Sequence, residues 1–473
     1  MKRISLAISL LVMLTLSLQA QQAKYVFYFI GDGMGVNQVQ GTEMYLSELK
    51  GEIGITPLLF TQFPYATTAT TFSATNGVTD SAAAGTALAT GKKTKNGALG
   101  VTKDLDKVES VASWAKANGY RVGVSSSVSI DHATPAAFYA HQGNRSDAYK
   151  IGLDLIETNF DFYAASDFVD PTNSKAKDGK TYESLYDLVK KAGFTLARGY
   201  KDYQKKAKKA EKMILFQTEE ASAKDNGSIP YAIDRKKGDM TLSEITRAGI
   251  NFLSKDLSKG FFLMVEGGKI DWAGHANDAA TNFREVIDFD EAIKVAYEFY
   301  SQHPDETLIV VTADHETGGI SIGNGSYNLN LQALKSQKLS EGEFTKVING
   351  LRAKYKNQVP WEAVQQALKD NFGFWTNNPL DEKQEARLKA VYEKSFGNQP
   401  IDLEKSEYQQ NEPLAGEAKR ILNHIARLGW ASGDHSAGFV PVFAIGANAQ
   451  LFQGILNNTE IPLKIAEAAG YTY

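Results

Sequence analysis

The chain has 473 residues, seven histidines and no cysteine, and its formal net charge at pH 7 is -4. The absence of cysteine excludes disulfides, thiolate metal ligands and a cysteine nucleophile, so oxygen and imidazole ligands must bind any metal. The slightly acidic balance argues against nucleic acid as a partner, because binding a nucleic-acid backbone needs a basic surface.

The first 20 residues have the pattern of a secretory signal peptide. Lys2 and Arg3 precede an apolar run from Ile4 to Leu18, which is followed by Gln19-Ala20-Gln21. A charged start, an apolar stretch and a small residue before the cleavage site are typical of such signals. We therefore expect cleavage after Ala20 and a periplasmic or secreted protein, with a retained membrane anchor as the alternative. No later apolar run is long enough to span a bilayer, so no transmembrane segment is expected after signal removal.

Residues 21–473 are predicted to form one catalytic domain with an α/β fold. Short apolar runs rich in Val, Ile and Phe alternate with helical patterns, and five of these runs are Tyr25 to Ile30, Arg121 to Ser125, Phe261 to Val265, Thr307 to Thr312 and Phe439 to Ile445. This alternation predicts a three-layer sandwich with a largely parallel central sheet and helices on both faces. Such sheets bind ligands at the carboxyl ends of their strands, where several polar clusters of this chain lie.

Two polar residues in the first hundred positions are candidates for chemistry. Asp32 follows the first predicted strand within Gly31-Asp32-Gly33 and is either a metal ligand or part of a turn. Ser81 precedes an alanine-rich helical stretch, so its hydroxyl would lie at the positive end of a helix, which favours a phosphoryl group. A helix cap is the alternative interpretation of Ser81. Because no Gly-x-Ser-x-Gly motif surrounds Ser81, metal activation explains a nucleophilic serine better than a paired base does.

The segment from Asp131 to Arg145 combines ligands for a metal and for a phosphate. It contains Asp131-His132-Ala133-Thr134-Pro135 and ends in Asn144-Arg145. Thr134 offers a hydroxyl ligand, and Arg145 offers a guanidinium fork that matches phosphate oxygens. A helix cap and a surface charge are the alternative interpretations of these two residues.

Carboxylates and imidazoles cluster after two further predicted strands. The residues are Glu266, Asp271 and His275 in one cluster, and Asp314 and His315 in the next. Asp271 and His275 would share one face if their segment is helical, which suits one zinc ion. These clusters predict a multinuclear site with oxygen and nitrogen ligands, with buried ion pairs and polar loop histidines as the alternatives.

The stretch from about residue 324 to 424 is polar and helical, which predicts an insertion into the catalytic domain. Its Trp361 and Trp375 are expected to belong to a small satellite core, with a substrate entrance as the alternative. After the insertion, His435 precedes the last predicted strand and is a further candidate metal ligand.

Taken in order, six motifs resemble those of the alkaline phosphatase family. They are Gly31-Asp32-Gly33-Met34-Gly35, Thr79-Asp80-Ser81-Ala82-Ala83, His132-Ala133-Thr134-Pro135 with Asn144-Arg145, Val265-Glu266-Gly267-Gly268-Lys269-Ile270-Asp271, Thr312-Ala313-Asp314-His315-Glu316-Thr317-Gly318-Gly319, and His435-Ser436-Ala437-Gly438. The match extends from Tyr25 to about Phe452. The resemblance implies a metal-dependent enzyme that hydrolyses small phosphate monoesters to an alcohol and inorganic phosphate, through a phosphoserine at Ser81.

The resemblance also implies a site with two Zn2+ ions and one Mg2+ ion. The implied ligands are Asp32, Asp314 and His315 for the zinc beside Ser81, Asp271, His275 and His435 for the other zinc, and Asp32, Thr134 and Glu266 for the magnesium. Arg145 would bind two non-bridging phosphate oxygens. His132 and Trp272 stand where the best-known bacterial members have an aspartate and a lysine, so both are expected on the substrate side and should change magnesium and phosphate affinity.

Other functions remain as alternatives to a phosphomonoesterase. They are a phosphodiesterase or sulfatase of related fold and a phosphate-binding relative without catalysis. The alanines that follow Ser81 argue against a sulfatase, and Arg145 argues against the diesterases. Members of the family are commonly homodimers, so a homodimer is one expectation for this chain, with the insertion as a candidate contact.

Overall fold

The computed structural model describes residues 22–325, 327–397 and 403–473. The predicted signal peptide, residues 1–20, lies outside the described residues. Among the described residues, no helix is both long and apolar enough to cross a membrane.

The described chain contains one large sheet and three two-stranded ladders. The strands are β1 Tyr25–Gly31, β2 Tyr65–Thr70, β3 Arg121–Ser126, β4 Phe162–Ala165, β5 Phe194–Arg198, β6 Lys212–Phe216, β7 Phe261–Gly267, β8 Thr307–Thr312, β9 Glu316–Thr317, β10 Ser321–Ile322, β11 Glu404–Lys405, β12 Gln410–Asn411, β13 Leu428–Gly429, β14 His435–Ser436, β15 Val440–Gly446 and β16 Leu456–Asn457.

Helices cover the sheet and form most of the insertion. They are α1 Val36–Leu49, α2 Ser81–Thr90, α3 Val111–Ala117, α4 Ala133–Ala136, α5 Ala148–Thr158, α6 Leu185–Lys191, α7 Tyr200–Lys206, α8 Glu219–Lys224, α9 Leu242–Leu253, α10 Lys269–His275, α11 Ala279–Tyr300, α12 Glu341–Lys354, α13 Trp361–Phe372, α14 Glu382–Ser395, α15 Pro413–Ile425 and α16 Glu460–Ala469.

The large sheet has ten strands in the order β16-β2-β15-β8-β1-β7-β3-β4-β6-β5. All neighbours pair in parallel except β15, which runs antiparallel to both β2 and β8. All seven residues of β1 and of β7 are buried, as expected for strands covered by helices on both faces. The predicted α/β sandwich with a largely parallel sheet is therefore confirmed.

The direction of β15 corrects one detail of the sequence interpretation. This strand is not the last one, because β16 follows it, and it runs against its neighbours. The start of β15 therefore lies at the same edge of the sheet as the carboxyl ends of β1, β7 and β8. A residue that precedes β15, such as His435, reaches the same edge as residues that follow the parallel strands.

The predicted insertion packs around a second apolar cluster, which is separate from the main core of the sheet. Its buried residues include Phe344, Leu368 and Leu422, and Trp361 and Trp375 pack against them with ring centroids 6.2 Å apart. The same cluster contains buried residues of α1 and α11, so the insertion rests on helices of the sandwich. The two tryptophans thus belong to a satellite core, as the sequence predicts, whereas the bounds of a separate insertion remain a prediction.

Candidate active site

Ser81 lies at the start of α2, where the sequence pattern predicts a helix terminus. The preceding Asp80 caps this helix, since its Oδ1 accepts a 3.0 Å hydrogen bond from the Ala83 amide. The Ser81 hydroxyl is therefore not used as the cap, and its Oγ lies 3.2 Å from Nε2 of His315. A buried serine at a helix N-terminus, free of a capping role, is suited to act as a nucleophile towards phosphorus.

Asp32, Asp314 and His315 form a group beside Ser81. Nε2 of His315 lies 3.3 Å from Asp32 Oδ1 and 3.4 Å from Asp314 Oδ2. The Gly33 amide donates a 3.1 Å hydrogen bond to Asp314 Oδ1. Gly33 has a φ of 70°, and an added Cβ would lie 2.8 Å from the Asp271 Cα, so only glycine allows this approach. The structure brings together the three residues predicted for the first zinc, with ligand atoms within 4.8 Å of one another.

Asp271, His275 and His435 form the neighbouring group. Nε2 of His275 lies 3.3 Å from Asp271 Oδ2 and 3.1 Å from His435 Nε2. The Nδ1 atoms of His275 and His435 face the carbonyl oxygens of Gly433 and Thr79, at 2.6 and 2.8 Å. An Nδ1–H that donates to a carbonyl leaves Nε2 available as a metal ligand, which is the usual arrangement for histidines in metal sites.

The predicted magnesium ligands lie on the other side of Asp32. Thr134 lies in α4, and its Oγ1 donates a 3.3 Å hydrogen bond to Asp314 Oδ2. Glu266 is the next-to-last residue of the buried strand β7 and accepts a hydrogen bond from the Ser126 hydroxyl. Ligand atoms of Asp32, Glu266 and His132 lie within 4.8 Å of one another, so His132 also lies at the predicted magnesium position.

Four carboxylates lie in this buried region, and their negative charges repel one another. Burial raises the pKa of Glu266 to about 8 and, with repulsion from Asp271, raises the pKa of Asp314 to about 6. Burial and the nearby Asp314 carboxylate raise the pKa of Asp32 well above its usual value. Burial acts in the same direction on Asp271, but the His275 and His435 imidazoles outweigh it and lower the pKa of Asp271.

Several oxygens of these carboxylates accept no hydrogen bond from the described residues. They include both carboxylate oxygens of Asp32 and the Oε1 atom of Glu266. Buried carboxylates without partners are unfavourable unless cations neutralise them, so the site fits divalent metal ions with oxygen and imidazole ligands.

Arg145 is oriented by Asp80, the residue that precedes Ser81. Its Nη1 is 3.2 Å from Asp80 Oδ2, and its Nη2 is 3.5 Å from His132 Nε2. Because Asp80 also caps the helix that begins at Ser81, one carboxylate positions both the Arg145 guanidinium and the start of this helix. The role of Asp80 was not predicted, although its position directly before Ser81 is a capping signal.

Trp272, Tyr408 and His132 form an aromatic wall beside Arg145. Trp272 and Tyr408 stack with centroids 4.4 Å apart and an interplanar angle of 13°. His132 lies 6.1 Å from Trp272 and 5.9 Å from Tyr408. Tyr408 comes from the insertion, as does Glu407, whose Oε2 lies 3.1 Å from His275 Nε2. No motif in the sequence indicates either residue, because their approach depends on how the insertion folds back over the sheet.

Comparison with known proteins agrees with this fold and site. The sequence model of the family described as "Alkaline phosphatase" matches residues 23–155 and 159–471. A largely parallel sheet with a serine at a helix terminus and a cluster of carboxylates and imidazoles at the same edge is consistent with a metal-dependent phosphate-ester hydrolase. The chain belongs to the alkaline phosphatase family and is a phosphatase that acts on small-molecule phosphate esters.

Similar proteins cover nearly the whole chain. Alkaline phosphatase 3 of Bacillus subtilis (strain 168) is 32% identical over 458 residues, which are 95% of this chain and 90% of the relative. The solved structure of a cold-active alkaline phosphatase from Shewanella sp. is 28% identical, with a TM-score of 0.76 over 94% of this chain and 99% of the other. A mutant of the alkaline phosphatase from the Antarctic bacterium TAB5, with Mg bound, is 28% identical, with a TM-score of 0.67 over 96% and 100% of the two chains.

Proposed function

We propose that the protein hydrolyses phosphate monoesters through a phosphoserine at Ser81. The observation that carries this proposal is the position of the Ser81 hydroxyl. It is buried at a helix N-terminus, 3.2 Å from His315 and beside the carboxylate of Asp32, which has no hydrogen-bond partner among the described residues. Ser81 and His315 do not form the serine–histidine–carboxylate relay of a metal-free hydrolase, because the same His315 Nε2 atom faces Ser81 and both carboxylates, whereas Nδ1 faces the Thr317 hydroxyl at 3.3 Å.

The carboxylate and imidazole groups would hold two zinc ions and one magnesium ion. Asp32, Asp314 and His315 would bind the first zinc, Asp271, His275 and His435 the second, and Asp32, Thr134 and Glu266 the magnesium. When bound, such cations would stabilise the negative charge on the attacking serine oxygen and on the leaving alcohol oxygen. Pairs of metal ions commonly have this function in phosphoryl transfer.

The proposed hydrolysis consists of two displacements at phosphorus. Ser81 Oγ would lose its proton and attack phosphorus, the new Oγ–P bond would form, and the ester P–O bond would break, so that the leaving oxygen takes up a proton and departs as the alcohol. Water then attacks the phosphoserine, the Oγ–P bond breaks, and inorganic phosphate leaves. Arg145 would bind two non-bridging oxygens throughout, because its fork is held in place by Asp80.

The fork of Arg145 favours a monoester over a diester. A phosphate monoester has three non-bridging oxygens, so two can bind the bidentate guanidinium while the third still faces the cluster of cation ligands. A diester replaces one of these oxygens with a second alcohol, which would have to fit against Arg145 and His132. Diester hydrolysis and phosphate binding without catalysis remain the two alternatives, and secretion and a homodimer remain predictions from the sequence.

Hydrolysis of chromogenic esters tests this proposal. The mature protein is treated with a chelator and then assayed at alkaline pH on a phosphate monoester and a diester, with and without added zinc and magnesium. We expect metal-dependent cleavage of the monoester well above that of the diester. Preference for the diester would reassign the activity, and failure to cleave either ester would leave a binding role.

A further inference from the structure

Tyr408 reaches the site from a hairpin of the insertion. The strands β11 and β12 pair through Glu404 with Asn411 and Lys405 with Gln410, and residues 406–409 form the turn between them. Glu404 is bound through both carboxylate oxygens by Arg420 of α15, at 2.7 and 2.8 Å. The hairpin is therefore anchored to the insertion, and its turn extends over the catalytic residues.

The phenol ring of Tyr408 is held on several sides by residues of the catalytic domain. It stacks on Trp272, and its centroid lies 5.5 Å from that of His275 and 5.9 Å from that of His132. The Lys269 ammonium lies 4.9 Å from the Trp272 ring, so Trp272 is itself held in place. These contacts fix the direction of the phenol, because a stacked ring has few alternative orientations.

The hydroxyl of Tyr408 is buried and has no hydrogen-bond partner among the described residues. It lies close enough to Arg145 and to Asp271 to interact electrostatically with both. A buried tyrosine hydroxyl normally finds a partner, and one that is left without a protein partner inside a binding site is available to a ligand.

We propose that the Tyr408 hydroxyl donates a hydrogen bond to a phosphoryl oxygen of the bound substrate and of the phosphate product. The insertion then contributes a substrate-contacting residue in addition to its own packing. A hydrogen bond to an anionic oxygen is stronger than one between neutral groups, so this donor should contribute to phosphate affinity. The inference rests on the proposed function, since it assumes that phosphate occupies the space between Ser81 and Arg145.

Tyr408→Phe removes the hydroxyl and keeps the ring that stacks on Trp272. The zinc- and magnesium-restored protein is titrated with inorganic phosphate by calorimetry, and phosphate inhibition and the kcat and KM of monoester hydrolysis are measured alongside. We expect phosphate affinity to fall about tenfold. KM should rise by a similar factor with kcat changed little, because the bond is made both to the substrate and in the transition state.

Tyr392→Phe is the matched control. Tyr392 also belongs to the insertion, but its hydroxyl donates a 2.7 Å hydrogen bond to the Val359 carbonyl in the satellite core. This variant should bind phosphate as the unchanged protein does. Equal phosphate affinity in Tyr408→Phe and the unchanged protein would overturn the inference while leaving the hydrolase proposal intact.

Two further outcomes separate a direct contact of the hydroxyl with phosphate from an effect on the stability of the insertion. An equal loss of affinity in both variants would overturn the inference, because the loss would then come from a weakened insertion. If the unchanged protein binds phosphate but cleaves no ester, the proposed function fails, and the phosphate titration of Tyr408→Phe still decides the role of the hydroxyl.

Discussion

His132 and Trp272 are the two positions at which the sequence is expected to differ from the best-known bacterial alkaline phosphatases. Both lie beside the proposed phosphate position, and both are uncharged: Trp272 has no ionisable group, and burial and the Arg145 charge lower the pKa of His132 to about 3. A neutral wall should hold the phosphate product less tightly than a charged one and so favour its release.

Introducing the aspartate and the lysine expected in those bacterial enzymes tests this effect. His132→Asp and Trp272→Lys are expected to lower the inhibition constant for inorganic phosphate about two- to fivefold, the range of a modest charge interaction. His132→Asp should act by strengthening magnesium binding, and Trp272→Lys by adding a cation near the phosphate. Phosphate inhibition is measured by steady-state kinetics, and unchanged inhibition in both variants would show that these two residues do not control product binding.

Asp131, which is not a predicted metal ligand, is expected to make the free energy of unfolding depend on pH. It is buried, its Oδ2 accepts a 2.9 Å hydrogen bond from the Val169 amide, and burial raises its pKa to about 7 from an ordinary value of 3.8. An acid whose pKa is raised on folding binds more protons in the folded state. Its contribution to stability is therefore lost as the pH rises from about 4 to about 7.

Asp131→Asn should reduce that pH dependence. An amide keeps the acceptor for the Val169 N–H and has no charge to bury. The free energy of unfolding, measured in urea with a chelator present in all samples, should fall less between about pH 4 and pH 7 in the variant than in the unchanged protein. Equal slopes in the two proteins would show that Asp131 does not titrate in this range.

At the scale of elements, α15 ties the insertion to the helix that carries His275. Lys419 of α15 donates to the carbonyl of Ala276, just after α10, and its ammonium lies 2.7 Å from the Glu341 carboxylate. Both charged side chains are almost fully buried. Such a pair is costly to break on one side, because the remaining charge is left buried without a partner.

Lys419→Met should therefore destabilise the protein by about 3–5 kcal/mol. The free energy of unfolding in denaturant is the measurement, and the double variant Lys419→Met with Glu341→Gln should recover most of the loss because no buried charge remains. If the single variant is as stable as the unchanged protein, or the double variant is no better than the single one, an unpaired buried charge is not the cause of the instability.

The central elements of the fold were predictable because buried parallel strands have a clear sequence pattern. The run from Tyr25 to Ile30 is apolar on both faces, and Asp32 follows it directly, so strand and site residue are found together. The direction of β15 was not predictable, since periodicity carries no information on which way a strand runs.

Contacts made by the insertion were harder to predict than the catalytic motifs. Ser81, Asp314 and His315 lie in motifs whose local spacing indicates chemistry. Tyr408 and Glu407 lie in a short polar hairpin whose own sequence has no ligand pattern, and they reach the site only through packing between distant segments.

At the scale of the whole molecule, the buried carboxylates predict that metal ions stabilise the fold. A ligand that binds only the folded state adds about 4 kcal/mol when its concentration is a thousand times its dissociation constant. Chelation should therefore lower the melting temperature, and zinc with magnesium should restore it, as followed by thermal unfolding. Identical melting curves with and without chelator would contradict a metal site that includes Asp32 and Glu266.

The formation of a phosphoserine at Ser81 is the central claim, and exchange of phosphate oxygens tests it. When Ser81 Oγ attacks inorganic phosphate, one phosphate oxygen leaves as water, and hydrolysis of the phosphoserine brings in an oxygen from the solvent. The metal-restored protein is incubated with 18O-labelled inorganic phosphate, and the label is followed by mass spectrometry.

We predict that the unchanged protein transfers the label to water, and that Ser81→Ala does so at least roughly 10³-fold more slowly, while phosphate still binds to the variant. Exchange by Ser81→Ala at the rate of the unchanged protein would contradict a phosphoserine at this position.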